Sequence, residues 1–468
     1  MAREEIWVDY HNAMAETVGK HGVLRDELFG QQALLERYHE ELVRERRAGQ
    51  LCFADLPYQR DAVCRVESAA RRVRSWCENF VVLGIGGSAL GNIALQTALK
   101  TPYYNLLDRS ARRSCPKVFV EDNIDPVRFG ALLDLLDPRR TCFNVISKSG
   151  ETAETMAQFL VVRALLKKRL GRNYRRHIIV TTGGQGGVLR SLAEQEGYET
   201  LEVPEGVGGR FSVLSPVGLL SAAVSGSDIR QLLAGAAAMD RRCQSSSLKE
   251  NPAYLLATLL HLADTRRGLR TVVFMPYSEQ LKDVADWFRQ LWAESLGKRR
   301  DCDGRDVFAG QNPVKALGTT DQHSQIQLYV EGSFDKVIMF LAVDRFARVV
   351  RIPRAFPKVE GAAYLGGRSF NELMAAELRG TAVALTEAGR PNLTIHVPRI
   401  SEHHVGQLLF LLELQTAMAG KLYHVNAFDQ PGVEAGKRAA YALMGRAGFE
   451  AEGRRIAERF SQDHSDRV

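Results

Sequence analysis

A glycine-rich turn within residues 81–99, VVLGIGGSALGNIALQTAL, follows a short apolar run and precedes a predicted helix. Its glycines, Gly87 among them, have no Cβ and let a ligand approach the backbone. Ser88 is the predicted N-cap, and free N–H groups at a helix start favour an anion such as phosphate. Taken alone, the turn is equally consistent with helix–sheet packing or with the dinucleotide motif GxGxxG/A at residues 84–89. A dinucleotide site favours an acidic residue about 20 residues on, at the end of the next strand, whereas the acids at residues 121–122 come later.

A second turn of this kind lies within residues 145–155, VISKSGETAET. Lys148 stands between Ser147 and Ser149, and Thr152 is close by. Three hydroxyls, one ammonium and a helix start suit a phosphate dianion, although polar side chains that only cap a helix form the same pattern. Two such turns can contribute to one site, and together they indicate a phosphorylated substrate.

Two further segments carry groups that suit proton transfer and charge stabilisation. Arg210 follows Gly209 before an apolar helix, and its permanent charge and five donors suit either an oxyanion or a salt bridge that closes a domain. Gln290 and Glu294 are four residues apart on a predicted helix and share a face. Glu294 is a candidate base, and a solvated surface glutamate is the alternative.

Histidine and lysine complete the set of titratable candidates. His323 lies in the polar turn GTTDQHS, where it suits proton transfer or a structural role. Gln430 and Lys437 are two turns apart in FDQPGVEAGK, so the lysine is predicted to point toward the same cleft unless it is simply solvated. The pair at residues 403–404 has no further ligands at metal-site spacing, so no metal is predicted and a helix-start role is preferred.

Composition limits the class of protein. The chain has 468 residues, of which 45% are hydrophobic and 25% charged, as in globular proteins of two or three domains. Its net charge of +7 is spread along the chain, so nucleic acid is not an expected partner. Seven cysteines without a CxxC pair indicate reduced thiols in a cytoplasmic protein. The charged N-terminal segment is no signal peptide, and no apolar run approaches the roughly 18 residues of a membrane helix.

The candidate residues must be positioned by alternating strands and helices. Short apolar strands alternating with helices predict an α/β fold with parallel sheets covered on both faces. The first series of strands is predicted at residues 81–83, 118–120, 143–146, 177–181 and 200–203. The second series is predicted at residues 271–275, 326–329, 337–341 and 393–397, with helices at 278–296 and 404–419. The predicted units are a helical N-terminal arm at 1–55, a first α/β domain at 56–227, a second with a helical linker at 228–435, and a helical tail at 436–468.

Five ordered blocks resemble the glucose-6-phosphate isomerase family, in its compact bacterial form. The blocks are GIGGSALG, SKSGETAET, GGRFS, QLWAESLGK with GTTDQHSQ, and FDQPGVEAGK, and they span residues 84–437. The resemblance implies two sugar-isomerase (SIS) domains and interconversion of glucose 6-phosphate and fructose 6-phosphate in glycolysis and gluconeogenesis. It also implies no metal or organic cofactor, and a homodimer or larger oligomer.

The resemblance also assigns roles by position. Ser147, Lys148, Ser149 and Thr152 would hold the phosphate, helped by Gly87 and Ser88, and Gly209 would also bind the substrate. Glu294 would move the proton between C2 and C1 through a cis-enediol, with Arg210 steadying the negative charge. His323, supplied by the neighbouring subunit, and Lys437 would assist ring opening, while Gln290 and Gln430 would hold hydroxyls. Ser149 and Gly150 stand where the longer animal forms have a threonine and an aromatic residue. This difference affects the expected phosphate contacts and not the expected catalytic residues.

Two other functions fit parts of the sequence. A protein that senses sugar phosphates without turnover would share the phosphate turns but would not need Glu294, His323 and Lys437 together. A dinucleotide-dependent oxidoreductase would use residues 84–89 and would bind NAD(H) or NADP(H).

Overall fold

The computed structural model describes residues 4–461 and contains two five-stranded sheets. The strands are β1 Trp7–Asp9, β2 Asn79–Leu83, β3 Lys117–Glu121, β4 Thr141–Ser147, β5 Ile178–Gly183, β6 Glu199–Val203, β7 Thr271–Pro276, β8 Lys298–Arg300, β9 Asp306–Ala309, β10 Asn312–Lys315, β11 Lys336–Val343 and β12 Asn392–Val397. The first sheet has the order β3-β2-β4-β5-β6 and is parallel throughout. The second has the order β1-β12-β11-β7-β10 and is parallel except at β1. The predicted α/β fold with two parallel sheets is confirmed.

Helices cover both sheets. They are α1 Ala15–Val18, α2 Arg25–Phe29, α3 Gln32–Arg47, α4 Arg60–Trp76, α5 Leu90–Leu99, α6 Pro126–Leu135, α7 Ala153–Leu170, α8 Val188–Glu196, α9 Pro216–Val224, α10 Ile229–Arg242, α11 Pro252–Arg267, α12 Lys282–Leu296, α13 Ile326–Glu331, α14 Glu360–Ala363, α15 Phe370–Glu387, α16 Glu402–Leu422, α17 Glu434–Leu443 and α18 Glu450–Ser461. Within residues 4–461, no helix is both long enough and apolar enough to cross a membrane. The end of the predicted tail, residues 462–468, lies outside the described residues, as do residues 1–3 of the predicted arm.

The strands of the first sheet form where apolar runs are buried on both faces. Every residue of β2 and of β4 is buried, as expected for central strands of a parallel sheet between helices. One continuous core includes Val82 and Ile146 of the first sheet and Val272 and Leu341 of the second. α16 is almost entirely buried and packs against α10, α11 and α12 within the second half of the chain. Because α5 of the first half packs against α12 of the second, the two halves of the chain are held against each other.

One predicted strand is wrong. Residues 326–329 form the start of α13 instead, because Ile326, Tyr329 and Val330 pack together on the core cluster beside the second sheet. This i, i+3, i+4 spacing is helical, and an alternating run of four residues is too short to fix the period. The missing strand is β10, which lies at the sheet edge, where Pro313 costs no ladder hydrogen bond.

The N-terminal segment contains more than the predicted helices. β1 pairs antiparallel with β12, and the Trp7 ring stacks on His396 with centroids 3.8 Å apart. The first described residues therefore complete one edge of the second sheet.

Candidate active site

The glycine turn after β2 contacts a second turn from far along the chain. Residues Gly86–Ser88 form a single 3-10 turn, and α5 begins at Leu90. The N-cap is therefore Ala89, without a side-chain cap bond, and the prediction that Ser88 caps the helix is wrong because the 3-10 turn comes between them. A Cβ on Gly87 would lie 2.5 Å from the carbonyl oxygen of Gly209. Glycine is required at position 87 for this close approach of two backbones.

The second predicted phosphate turn follows β4. Ser147 Oγ lies 3.0 Å from Thr152 Oγ1 and accepts a 3.1 Å hydrogen bond from the N–H of Gly150. Because β2 and β4 are neighbouring parallel strands, this turn and the glycine turn emerge at the same edge of the sheet, where α/β folds bind ligands. The structure thus places the two predicted phosphate turns side by side.

Lys148 supplies the positive charge of this second turn. Lys148 and Ser149 are exposed, and within residues 4–461 Lys148 makes no side-chain hydrogen bond or salt bridge. Partial desolvation lowers the pKa of Lys148, while Cys52 and Glu205 oppose that shift. An anion bound in this turn would supply the missing countercharge.

Arg210 is buried, with a side chain 2% exposed, and all five of its N–H donors have acceptors. Nε donates to Ser295 Oγ at 2.7 Å. Nη2 donates to the carbonyl oxygens of Ala427 at 2.5 Å and of Asp429 at 3.0 Å. Nη1 donates to Gln430 Oε1 at 2.8 Å and, at a longer 3.4 Å, to Glu294 Oε2. The guanidinium therefore joins α12 to the loop before α17, and its Nη1 is the edge directed at Glu294.

Glu294 lies on the face of α12 that meets the glycine turn. Its side chain is 31% exposed, and Oε1 accepts a 3.0 Å hydrogen bond from Gln290 Nε2. A Cβ on Gly86 would lie 3.0 Å from that amide nitrogen, so the amide rests against the turn. The structure thus brings Glu294, Gln290 and Arg210 together beside the first turn. In such a pair the carboxylate can take a proton from a bound molecule, and the guanidinium can stabilise the negative charge that the molecule gains.

Lys298 is a residue of this cluster that sequence reasoning missed. It begins β8, two residues after the end of α12. Its side chain is 5% exposed, and Nζ donates to the carbonyl oxygens of Glu294, Ser295 and Asp429. Burial, then Arg210, lowers its pKa to about 8, against the attraction of Asp429 and Glu294. The only sequence signal was a lysine just after a helix, which is common because it satisfies the last carbonyls.

Lys437 and His323 do not touch this cluster. Lys437 is exposed on α17 and pairs with Glu434 Oε1 at 2.9 Å. One turn further, Tyr441 donates to the carbonyl of Glu151 at 3.2 Å, and Arg446 pairs with the Glu151 carboxylate at 2.7 Å. Lys437 thus shares a helix face with Tyr441, which rests on the phosphate turn.

His323 ends a short 3-10 turn beside the second sheet. It is exposed and, within the described part of the chain, its side chain makes no hydrogen bond or salt bridge. The structure leaves it away from Glu294 within one chain.

No metal-ligand group joins the cluster within residues 4–461. The side chains of Asp301, Asp303 and His424 lie within 4.8 Å of one another, but none contacts Arg210 or Glu294. Asp301 Oδ1 already accepts two backbone hydrogen bonds, and Asp303 pairs with Arg305 at 3.1 Å. At the helix start predicted for residues 403–404, His404 Nδ1 lies 2.8 Å from Ser401 Oγ.

Comparison with known proteins identifies the family. A family profile described as phosphoglucose isomerase matches residues 71–454. The chain is 48% identical over 451 residues to glucose-6-phosphate isomerase of Carboxydothermus hydrogenoformans, with 95% of each chain covered. It is 40% identical over 422 residues to the enzyme of that name from Thermus thermophilus, covering 90% of this chain and 95% of the relative.

Two solved structures have the same fold. The hypothetical protein TT0462 from Thermus thermophilus superposes with a TM-score of 0.81 at 38% identity, covering 94% of this chain and 100% of that one. A glucose-6-phosphate isomerase from Chlamydia trachomatis superposes with a TM-score of 0.74 at 25% identity, covering 86% of this chain and 76% of that one. The chain belongs to the phosphoglucose isomerase family, as its five blocks predicted.

Proposed function

We propose that this protein is an isomerase that interconverts glucose 6-phosphate and fructose 6-phosphate. The observation that carries the proposal is the position of Glu294 between Gln290 and the Nη1 edge of Arg210, beside the first of two adjacent anion-binding turns. Relatives that share up to 48% of its residues over almost the whole chain bear the name of that enzyme.

The phosphate binds at the edge of the first sheet. Lys148 supplies the charge, the hydroxyls of Ser147, Ser149 and Thr152 supply hydrogen bonds, and the N–H of Gly87 with the hydroxyl of Ser88 closes the site from the first turn. The ammonium of Lys148 supports this assignment, because it forms no salt bridge within residues 4–461. Binding the unreactive end in this way fixes the reacting carbons beside Glu294.

Glu294 moves the proton. Its carboxylate takes the proton from C2 of the open-chain aldose, and the C–H electron pair forms the C1–C2 double bond of an enediolate. Negative charge collects on O1, where Nη1 of Arg210 donates to it in place of its long bond to Glu294. A proton passes from O2 to O1, and Glu294 returns its proton to C1, which gives the ketose. Gln290, Gln430 and Gly209 hold the sugar hydroxyls on either side.

Ring opening involves Lys437 and a His323 from a second copy of the chain. His323 is exposed and has no bonded partner within the described residues of its own chain, which leaves its imidazole free to act on a neighbour's substrate. Large apolar side chains are also exposed along residues 349–370, and such surfaces are typical of protein interfaces. The active form is a homodimer in the cytoplasm, and sugar phosphates are its small-molecule partners.

The test compares two matched glutamate variants. Glu294→Gln keeps the shape and one acceptor but removes the base, so kcat for fructose 6-phosphate formation should fall by about 10²–10⁴. Glu27→Gln is the control, because the Glu27 side chain is also 31% exposed and also faces an arginine, Arg267. Full activity in Glu294→Gln removes that residue from the base role. Saturable sugar-phosphate binding by the wild-type protein without any turnover contradicts the proposal and favours a sensor.

A further inference from the structure

The buried ammonium of Lys298 has three N–H donors and three carbonyl acceptors. Nζ lies 2.5 Å from the carbonyl oxygen of Glu294, 3.0 Å from that of Ser295 and 2.9 Å from that of Asp429. Its carboxylate contact, Asp429 Oδ1, is farther away at 3.5 Å. The protonated ammonium has one N–H donor for each of the three carbonyl oxygens, whereas a neutral amine has only two N–H groups.

The three acceptors belong to the two elements that carry the proposed reaction. Glu294 and Ser295 end α12, and Ser295 Oγ also accepts from Arg210. The carbonyl of Asp429 accepts both from Lys298 and, at 3.0 Å, from Arg210 Nη2. Lys298 therefore joins the backbone of the candidate base to the loop that holds the candidate oxyanion donor.

We propose that Lys298 is a positioning residue for the isomerisation, and that its ammonium sets the spacing between the Glu294 carboxylate and Nη1 of Arg210. The role rests on the proposed function, because it acts only through those two groups. Loss of one bond lets the end of α12 shift relative to the loop, and displacements on the order of 1 Å in a reacting group reduce rates about 100-fold.

The charge of Lys298 responds to mildly alkaline pH. Burial and Arg210 lower its pKa to about 8, while Asp429 and Glu294, the carboxylates that face it, raise it. Above about pH 8 the amine keeps two donors for three carbonyls, so activity should fall. Stability should not fall with it. Because the folded pKa is below the unfolded value of 10.5, the unfolded chain binds more protons between these two pH values, and this group favours folding more as pH rises.

The experiment compares Lys298→Met and Lys298→Arg with a matched control, Lys336→Met. Lys336 is also a buried lysine, with a side chain 6% exposed, and it donates to the carbonyl of Ser333 at 3.0 Å without contacting the cluster. The measurements are kcat, KM for fructose 6-phosphate, thermal unfolding, and the pH profile of kcat from pH 6.5 to 9.5. We expect Lys298→Met to lower kcat by about 10- to 100-fold with KM changed less than about threefold. Lys336→Met should stay within about twofold of wild-type kcat, even if it unfolds at a lower temperature.

The arginine variant provides the test that does not depend on a damaged fold. Lys298→Arg keeps a cation that does not titrate below pH 12, so its alkaline decline in activity should lie at least about one pH unit above that of the wild-type protein. An unchanged pH profile in Lys298→Arg, or equal losses of kcat in Lys298→Met and Lys336→Met, overturns the positioning role and leaves the proposed function intact. A wild-type protein without isomerase activity overturns both.

Discussion

Replacing Arg210 by lysine separates the charge of the guanidinium from its hydrogen bonds. Arg210 uses five donors, of which two reach acceptors on buried residues, the hydroxyl of Ser295 and the carbonyl of Ala427. A lysine ammonium has three donors at a single point and cannot span these acceptors. Glu294 and Gln430 are partly open to water, which can replace the bonds they lose.

The expected loss of stability comes from a buried acceptor, Ser295 Oγ or the Ala427 carbonyl oxygen, that the lysine leaves without a donor. One buried acceptor without a donor costs about 1–3 kcal/mol, so the free energy of unfolding should fall by about that amount. In a chain of 468 residues, an unfolding entropy of about 2.1 cal/mol/K per residue means that each kcal/mol lowers Tm by about 1 °C. The catalytic effect should be larger, because the ammonium cannot place a donor where Nη1 lies. Loss of one preorganised oxyanion donor lowers kcat by about 10²–10³.

The assay follows isomerisation in both directions together with solvent-deuterium incorporation at C2. The matched control is Arg390→Lys, because Arg390 is also buried and donates to the carbonyls of Val330, Gly332 and Ser333, away from Glu294. Both variants should lose stability, and only Arg210→Lys should lose both turnover and deuterium exchange. If Arg210→Lys keeps more than about half of the wild-type kcat, or if Arg390→Lys loses as much, Arg210 serves the fold and not the chemistry.

Three other substitutions test separate parts of the site and core. Lys148→Met should raise KM for the sugar phosphate by about 10- to 100-fold, the value of one charge-assisted hydrogen bond, and an unchanged KM measured at low salt places the phosphate elsewhere. Gly87→Ala should lower the free energy of unfolding by about 1–3 kcal/mol and remove most of the activity, because the new Cβ collides with the Gly209 carbonyl. Gly130→Ala, with open space around its Cβ, is the control, and in thermal unfolding and rate assays it should lose neither stability nor activity. Glu413 is fully buried, its oxygens have no partner within the described residues, and burial raises its pKa well above 4.5. Above pH 4.5 the folded chain holds this proton more tightly than the unfolded chain, so the protein loses stability as pH rises there. Glu413→Met should therefore unfold at a higher temperature than the wild type by a margin that is larger at pH 7 than at pH 4.5; an equal margin at the two pH values contradicts the buried acid.

The regular part of the fold could be predicted from the sequence because each parallel strand is a buried apolar run. β2 and β4 lie where residues 81–83 and 143–146 were predicted, each longer by a few residues. The edge strands β1 and β10 of the second sheet were not predicted. β10 contains Asn312 and Pro313, and β1 has three residues, so neither carries a period that local pattern can reveal.

The candidate site residues could be named from the sequence, but their geometry could not. The blocks around Gly87, Arg210 and Glu294 are brought together only by contacts between turns and helices far apart in sequence. The alternatives for Arg210, oxyanion donor or closing salt bridge, are not exclusive, since its guanidinium both fixes the loop at Ala427 and faces Glu294. The sequence signal for Lys298, a lysine after a helix, did not point to the site, because its contacts depend on a loop more than a hundred residues away.

The pairing of β1 with β12 has a consequence for synthesis in the cell. Trp7 must wait for His396 to leave the ribosome before it can stack on it, and at 5–20 residues per second that wait is roughly 20–80 s. Until β12 has been synthesised, β1 and the Trp7 indole lack their pairing partner and can be bound by chaperones or cleaved by proteases. The first strand to be synthesised is thus among the last to pair, and an N-terminal tag or fusion affects this late step of folding.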